Sequence, residues 1–564
     1  MRILLKNGAV VNVFTGEIEK TNILIEDKVI AGVGTEYCEA DADKTEDLAG
    51  KFVCPGFIDG HIHIESTMLL PGELAKVCVP HGTTSIVSDP HEIANVCGTA
   101  GIEYMLETSE EIPMTVYLML PSCVPATSFD ESGAVLSAKD LKPFYNEVKV
   151  LGLAEMMNYP GVICGDGVVL EKINDAKEFN LIVNGHAPLL TGKSLDRYIA
   201  AGINDDHECS GFEEAAERIR KGQWVMIRQG TAARNLDALL PLFEEPYAHR
   251  CVLVTDDKHP SDLLESGHID SIIRRAVKCG KSVVTGIRMA TIQAAQCMGI
   301  RNLGAIAPGY IADILVLDDL DTVRVRDVYK NGEKVVENGI VCPFPEPEVR
   351  ADLIKAVKNS FFMDELSAKN FYIEPKTPRC RVIKGIDDQL ITDEWITEIN
   401  WEKNGGIDID RDILKIAVAE RHMHTGHIGL GFISGIGLKE GAIASSVSHD
   451  SHNLVIVGTN DLDMATAANR IRELGGGCVV VRDGKVMAEM PLPVAGLMSE
   501  GSAETVAKEN ARVRKAVYKL GANKGLEPFM TMAFMSLSVI PSLKITTKGL
   551  VDVNSQKLVS LYVE

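Results

Sequence analysis

In the stretch FIDGHIHIES, Phe57 to Ser66, His61 and His63 stand two residues apart, with Asp59 before them and Glu65 after. On a β-strand, positions i and i+2 share a face, so the two imidazoles would lie side by side with Cα atoms about 6 to 7 Å apart. That spacing suits two ligands of one metal ion. A polar strand end would read the same way, so the metal reading depends on partners elsewhere. Such partners follow other apolar runs: Asp89 and His91, Ser122, Glu155, His186, His207, Arg228 and Gln229, Asp256 and Asp257. Groups of this kind are expensive to bury unpaired, and a series of them at the ends of apolar runs is hard to explain by core packing.

The chemistry they offer is hydrolysis. His61, His63 and Asp256 would hold one divalent ion, His186 and His207 a second, and Glu155 in LGLAEMM would bridge the pair. Mixed imidazole and carboxylate ligation suits Fe(II), Mn(II) or Zn(II). Such ions lower the pKa of bound water from about 15.7 toward about 7, making hydroxide available at neutral pH. Asp256, reaching both metal and nucleophile, would take the proton and deliver it to the leaving group.

What must position these side chains is legible in the texture of the chain. From Lys51, apolar runs of four to seven residues alternate with helical patterns, about eight times, as in repeated βα units. Eight such units close into a TIM (β/α)8 barrel, whose strand ends converge at the C-terminal face. The fold class is therefore α/β, with the barrel over 51–299. The first fifty residues read as hairpins, and GAIAPGYIADILVLDDLDTVRVRDVYKNGEKV returns to strands, so 1–50 and 300–342 should build a small flanking β-sandwich from both sides of the barrel. CPFPEPEV resembles a linker, and 351–564 should form a C-terminal α+β domain. Within it TNDLDMATAANRIRELGGGC reads as an amphipathic helix and VVVRDGKVMAEM as a hairpin around Asp483 and Gly484.

Three further segments carry polar chemistry. SDPHE, Ser88 to Glu92, reads as a capping box, with Asp89 as N-cap, Pro90 at N1 and Glu92 at N3. The cap does not need His91, so His91 or Glu92 is a candidate proton donor or extra ligand. SVSHDSHNL, with His449, Asp450 and His452, is either a polar turn or a loop that folds over the barrel mouth. RHMHTGHIG, with His422, His424 and His427, fits surface histidines and receives no role.

The bulk composition narrows the function. The 564 residues carry a formal charge of -22, with 46% hydrophobic and 24% charged residues, as in an ordinary folded globular protein. That charge repels nucleic acid, and no Lys/Arg block offsets it. No apolar stretch approaches a membrane span and the N-terminus has no signal-like core, so the default location is cytoplasmic. The 13 cysteines, without C-x-x-C spacing, read as reduced thiols.

With PGFIDGHIHI, HGTTSIVSDPHEIANV, GLAEMMNYPGVI, NGHAP, DDHE, TDD, GAIAPGYIADILVLD and GFISGIGLKEGAIASSVSHDSHNLVIVG, the chain resembles the amidohydrolase superfamily, and within it the adenine deaminases of bacteria and archaea. The resemblance covers essentially the whole chain. It implies hydrolysis of adenine to hypoxanthine and ammonia in purine salvage, on a binuclear centre commonly filled by manganese or iron. It also implies a homodimer. Attack at C6 requires a general acid near N1 of the purine, for which His91 or Glu92 in SDPHE is the candidate, and Asp89, Asp450 and His452 are the candidate substrate contacts. Many barrels of this type bridge their metals with a carboxylated lysine. The nearest lysine, Lys149, is six residues upstream of Glu155 and so about 20 Å away, which leaves the glutamate. The P-C-x-x-C signature that completes the zinc deaminase pattern is absent. The competing readings are another amidohydrolase reaction, on a cyclic amide or a different aromatic base, and a barrel kept as a non-catalytic scaffold.

Overall fold

The computed structural model describes residues 1–231, 233–386, 391–525 and 527–564. Eight parallel strands surround its centre: β1 (Phe57–Ile62), β2 (Thr83–Ser88), β3 (Thr115–Leu120), β4 (Val150–Met156), β5 (Ile182–Gly185), β6 (Asp205–Asp206), β7 (Trp224–Arg228) and β8 (Cys251–Val254). β1 to β5 form one hydrogen-bonded arc and β6 to β8 another. The arcs join where Asn204 N–H donates to the Val183 carbonyl at 2.9 Å and where Asp256 N–H donates to the His61 carbonyl at 2.9 Å. Gly185 permits the first junction, since a Cβ there would sit 2.1 Å from the Asp205 carbonyl oxygen.

Both faces of these strands are buried, which explains why they read as unbroken apolar runs. Val87, Met119, Ala154, Met226 and Val252 pack together in the interior of the barrel, closed below by Met298 and Leu303. Their neighbours Ile86, Leu118, Leu153, Val225 and Leu253 join the layer beneath the surrounding helices. The result is a TIM-barrel-like fold.

Residues from both sides of the barrel share one nine-stranded sheet. It folds over, so that Ile30 N–H reaches the Tyr310 carbonyl at 2.8 Å, and encloses Ile3, Leu5, Ile23, Ile25, Ile314 and Val316. Phe52–Pro55, expected as the start of the barrel, pairs instead into this sheet, antiparallel to Ile314–Asp319. Gly56 then breaks the strand, and β1 begins in the barrel at Phe57.

The C-terminal part is built on an eight-stranded sheet. Successive side chains alternate between two apolar layers: Ala417, Ala442, Leu454 and Val479 pack beside the helix Asp461–Leu474, while Ile416, Ile443, Val455 and Val480 pack with Val506 and Val513 of the helix Ala503–Lys519. The Asn460 side chain caps the first of these helices, accepting from Asp463 N–H at 2.8 Å, and left-handed Gly475 ends it. The second face lies against the barrel, where Ser499 N–H bonds the Met68 carbonyl at 2.9 Å. Among the described residues no helix is long and apolar enough to cross a membrane.

Candidate metal centre

The strand ends deliver His61, His63, Glu155, His186, His207 and Asp256 to one mouth. His61 and His63 meet edge to face with ring centroids 4.9 Å apart, and His61 stacks on His207 at 4.4 Å. Glu155, at the end of β4, lies between two groups of imidazoles. Its Oε1 faces His63 Nε2 at 3.4 Å, and its Oε2 faces His186 Nδ1 at 2.7 Å and His207 Nε2 at 3.2 Å. One carboxylate oxygen thus serves each half of the site, the arrangement that a bridging ligand requires. Lys149 is far from it, donating to Glu110 at 2.8 Å.

Two overlapping sets could hold an ion: His61, His63 and Asp256, and His61, Glu155 and His207, with candidate ligand atoms in each within 4.8 Å of one another. His186 and His207 form a further set with Glu208. The buried His61 Nε2 and His207 Nδ1 have no hydrogen-bond partner. The carboxylates meet His207 at Nε2, and an unpartnered imidazole nitrogen on buried His61, in sets with Asp256, Glu155 and His207, fits a divalent cation; the donor set is that of Mn, Fe or Zn.

The electrostatics agree. Burial pushes Glu155 upward, but the neighbouring His186, His207 and His63 outweigh it and hold the carboxyl well below its usual range. Asp256 is likewise held down against its burial, first by Arg228 and then by His63 and His207. His61 is driven well below the ordinary imidazole range by burial and by His207 and His63, so it is neutral and able to ligate.

Two residues of this centre received no role from the sequence. Glu208 contacts His207 at 3.3 Å and His186 at 3.6 Å, and Arg228 joins Glu208 at 2.6 Å to Asp256 at 2.5 Å. Glu208 follows His207 directly, and strand alternation would point the two apart. That rule lapses here because β6 has already ended at Asp206.

SDPHE is only partly a cap. Asp89 Oδ1 accepts from His91 N–H at 3.1 Å, but the following helix, His91–Cys97, has Pro90 as N-cap, and Glu92 does not close the box. His91 Nδ1 instead meets Asp89 Oδ2 at 3.0 Å and lies 3.8 Å from Glu155, while Glu92 accepts from Ser66 Oγ at 2.9 Å and faces His449 at 3.5 Å. His91 falls in a four-residue group with His63, Asp89 and Glu155.

A cavity opens over the centre. His63, Glu155 and Asp256 line its polar side; Phe534, Leu537 and Ile540, from a C-terminal segment that sequence reasoning passed over, line its apolar side. The loop 448–453 also reaches it. His449 stacks on Phe534 at 4.6 Å, and Asp450 Oδ1 lies 3.6 Å from His91 Nε2. Asp89 and His452 stand behind the lining residues: Asp89 supports His91, and His452, fully buried, sits 3.8 Å from Glu92. Glu92, His449 and His452 converge closely enough to suggest another ion. However, Ser448 N–H donates to His452 Nδ1 at 3.2 Å, which leaves the ring hydrogen on Nε2, 3.8 Å from Glu92, and disfavours that nitrogen as a ligand. Of the three histidines expected at the surface, His424 and His427 are exposed, but His422 is buried and bonds the Ser451 carbonyl at 2.7 Å. It follows a central strand, Leu414–Ala419, and packs beneath the loop.

A closed βα barrel carrying a buried cluster of imidazoles and carboxylates at its mouth is the architecture of a metal-dependent hydrolase, and residues 52–335 match the Amidohydrolase family. Residues 389–557 match the adenine deaminase C-terminal domain. The chain is 46% identical over 562 residues to adenine deaminase 2 of Carboxydothermus hydrogenoformans, covering 99% of this chain and 96% of that one. It is 46% identical to an adenine deaminase of Desulfatibacillum aliphaticivorans, covering 99% and 97%, and 45% identical to one of Clostridium acetobutylicum, covering 98% and 96%. The chain belongs to the adenine deaminase branch of the amidohydrolase family.

Proposed function

We propose that the protein hydrolyses adenine to hypoxanthine and ammonia in purine salvage, using two divalent ions held by His61, His63, Glu155, His186, His207 and Asp256. The observation that carries this reading is the placement of Glu155, with one oxygen toward each group of imidazoles. When bound, the ions supply a water whose proton is lost near neutral pH, and Mn(II) or Fe(II) is favoured over Zn(II) by the family resemblance.

The remaining steps belong to side chains. Asp256, oriented by Arg228, takes the proton of the attacking water and passes it to the departing amine. Negative charge building on the ring as C6 is attacked is relieved by protonation at N1, from Glu92 or His91. Glu92 is held for this by Ser66 and faced by His449 and His452. Asp450 and His449 contact the base, Phe534, Leu537 and Ile540 cover it, and Asp89 and His452 act through the residues they brace.

The six ligands stand against the scaffold reading. The metal site activates water without reading the substrate, so substrate choice rests on the enclosing cavity and the family. Thirteen free cysteines suit a reducing cytoplasm, and the dimer is carried over from the resemblance. The three units are read as barrel, flanking sheet domain and C-terminal domain. Ammonia release compared across adenine, cytosine, guanine and hydantoins tests the assignment. Adenine should be turned over fastest; a preference for another substrate overturns it.

A further inference from the structure

The RHMHTGHIG segment has no part in the site above, yet its first two residues hold the loop that covers it. Arg421 is fully buried. Its guanidinium lies 4.5 Å from the Phe361 ring centroid and donates to three backbone carbonyls from separate segments: His452 at 2.5 Å, Ala495 at 2.9 Å and Ser360 at 3.0 Å. All three hydrogen-bond partners are neutral, and burying a cation without a bonded counter-charge is costly. The planar fork is what allows one side chain to reach three carbonyls at fixed angles, which the ammonium of a lysine cannot do.

His422, next in sequence, donates through Nε2 to the Ser451 carbonyl at 2.7 Å. Two adjacent side chains thus hold two adjacent carbonyls, those of Ser451 and His452. Asn453 adds a third tie: its Oδ1 accepts from Arg421 N–H at 3.4 Å, and its Nδ2 donates at 2.6 Å to the carbonyl of Glu131, in the segment after β3. The residues held in this way lie just beyond Asp450, which faces His91, and His449, which faces Glu92.

We propose that Arg421 and His422 are positioning residues for substrate binding: they fix the 448–453 loop over the barrel mouth, so that His449 and Asp450 enclose the base. This rests on the deaminase reading, with the loop as part of the adenine pocket.

His422→Phe keeps a flat ring but removes the donor; His422→Gln retains one. In the metal-loaded protein, His422→Phe should raise KM for adenine about tenfold, the scale of one buried hydrogen bond, with kcat and metal content little changed. His422→Gln should recover most of that loss. An unchanged KM in His422→Phe, or a glutamine variant no better than the phenylalanine one, overturns the proposal. Should His422→Phe fail to fold, Asn453→Ala cuts another tie of the same loop and should raise KM likewise; an unchanged value there also overturns it. Amide hydrogen exchange across 448–453 reads the tie without substrate. If adenine is not turned over at all, faster exchange in the variant still supports the positioning role while the deaminase reading falls, and unchanged exchange removes the positioning role too.

Discussion

Glu155 is the residue on which the proposed metal pair turns. It is 4% exposed and flanked on both oxygens by imidazoles, so its removal should leave each half of the site short of a ligand. Glu155→Ala should lose bound metal and reduce turnover by at least about a hundredfold, the upper range for disturbing even an outer-shell partner; metal analysis of the purified variant checks this. Glu92→Gln asks a different question, since it keeps size while removing the acid. If Glu92 protonates N1, turnover should fall by about 10² to 10⁴ with metal content intact. His91→Ala is the matched comparison; near-normal rates in both would leave SDPHE without a catalytic role. The six proposed ligands stood out because all but His207 follow apolar runs and burial of such groups needs a reason. Arg228 stood out as a polar strand end, but its pairing with Glu208 was not legible, because it depends on where β6 stops and on a contact between neighbouring strand ends.

The cover of the site is assembled from two elements distant in sequence. Helix Pro528–Met535 is tied to the 448–453 loop, with His449 N–H donating to the Ala533 carbonyl at 3.0 Å and the Phe534 ring against His449. Its sequence, PFMTMAFM, is apolar on all sides, so periodicity could not separate a face lining a cavity from one packed in a core. Phe534→Ala removes the stacked ring. It should raise KM for adenine by about fivefold to tenfold, within the range of an aromatic stacking contact, with kcat less affected; steady-state kinetics on adenine checks it.

Just beyond this helix, Ser538 donates at 2.7 Å to the buried Asp130 of the barrel side, which also accepts from Thr127 at 2.7 Å. Burial outweighs these bonds and raises Asp130 from an ordinary 3.8 to about 6. The folded protein therefore holds this proton more tightly than the unfolded chain does. Its contribution falls as pH rises from about 4 to about 6 and is flat above, a loss of up to about 3 kcal/mol. Asp130→Asn keeps an acceptor without titrating, so its melting temperature relative to the parent should climb across that window. A constant difference would contradict the shift.

At the scale of the molecule, the barrel carries the proposed metal ligands and the C-terminal part lines the apolar side of the cavity above them. The barrel was readable from sequence because strands buried on both faces leave unbroken apolar runs, and because its chemistry lies at one end of each run. Placing Phe52–Pro55 was harder: CPGFIDG reads as one strand, and only the break at Gly56 assigns its two halves to different sheets. The way the eight-stranded sheet lies against the barrel depends on contacts such as Ser499 with Met68, which no local pattern encodes. The most direct test of the paired centre is a titration of Mn(II) into chelator-stripped protein while ammonia release from adenine is followed. Activity should be near zero without metal and rise to a plateau at two equivalents per chain; full activity in the stripped protein, or a plateau at one equivalent, would contradict a bridged pair.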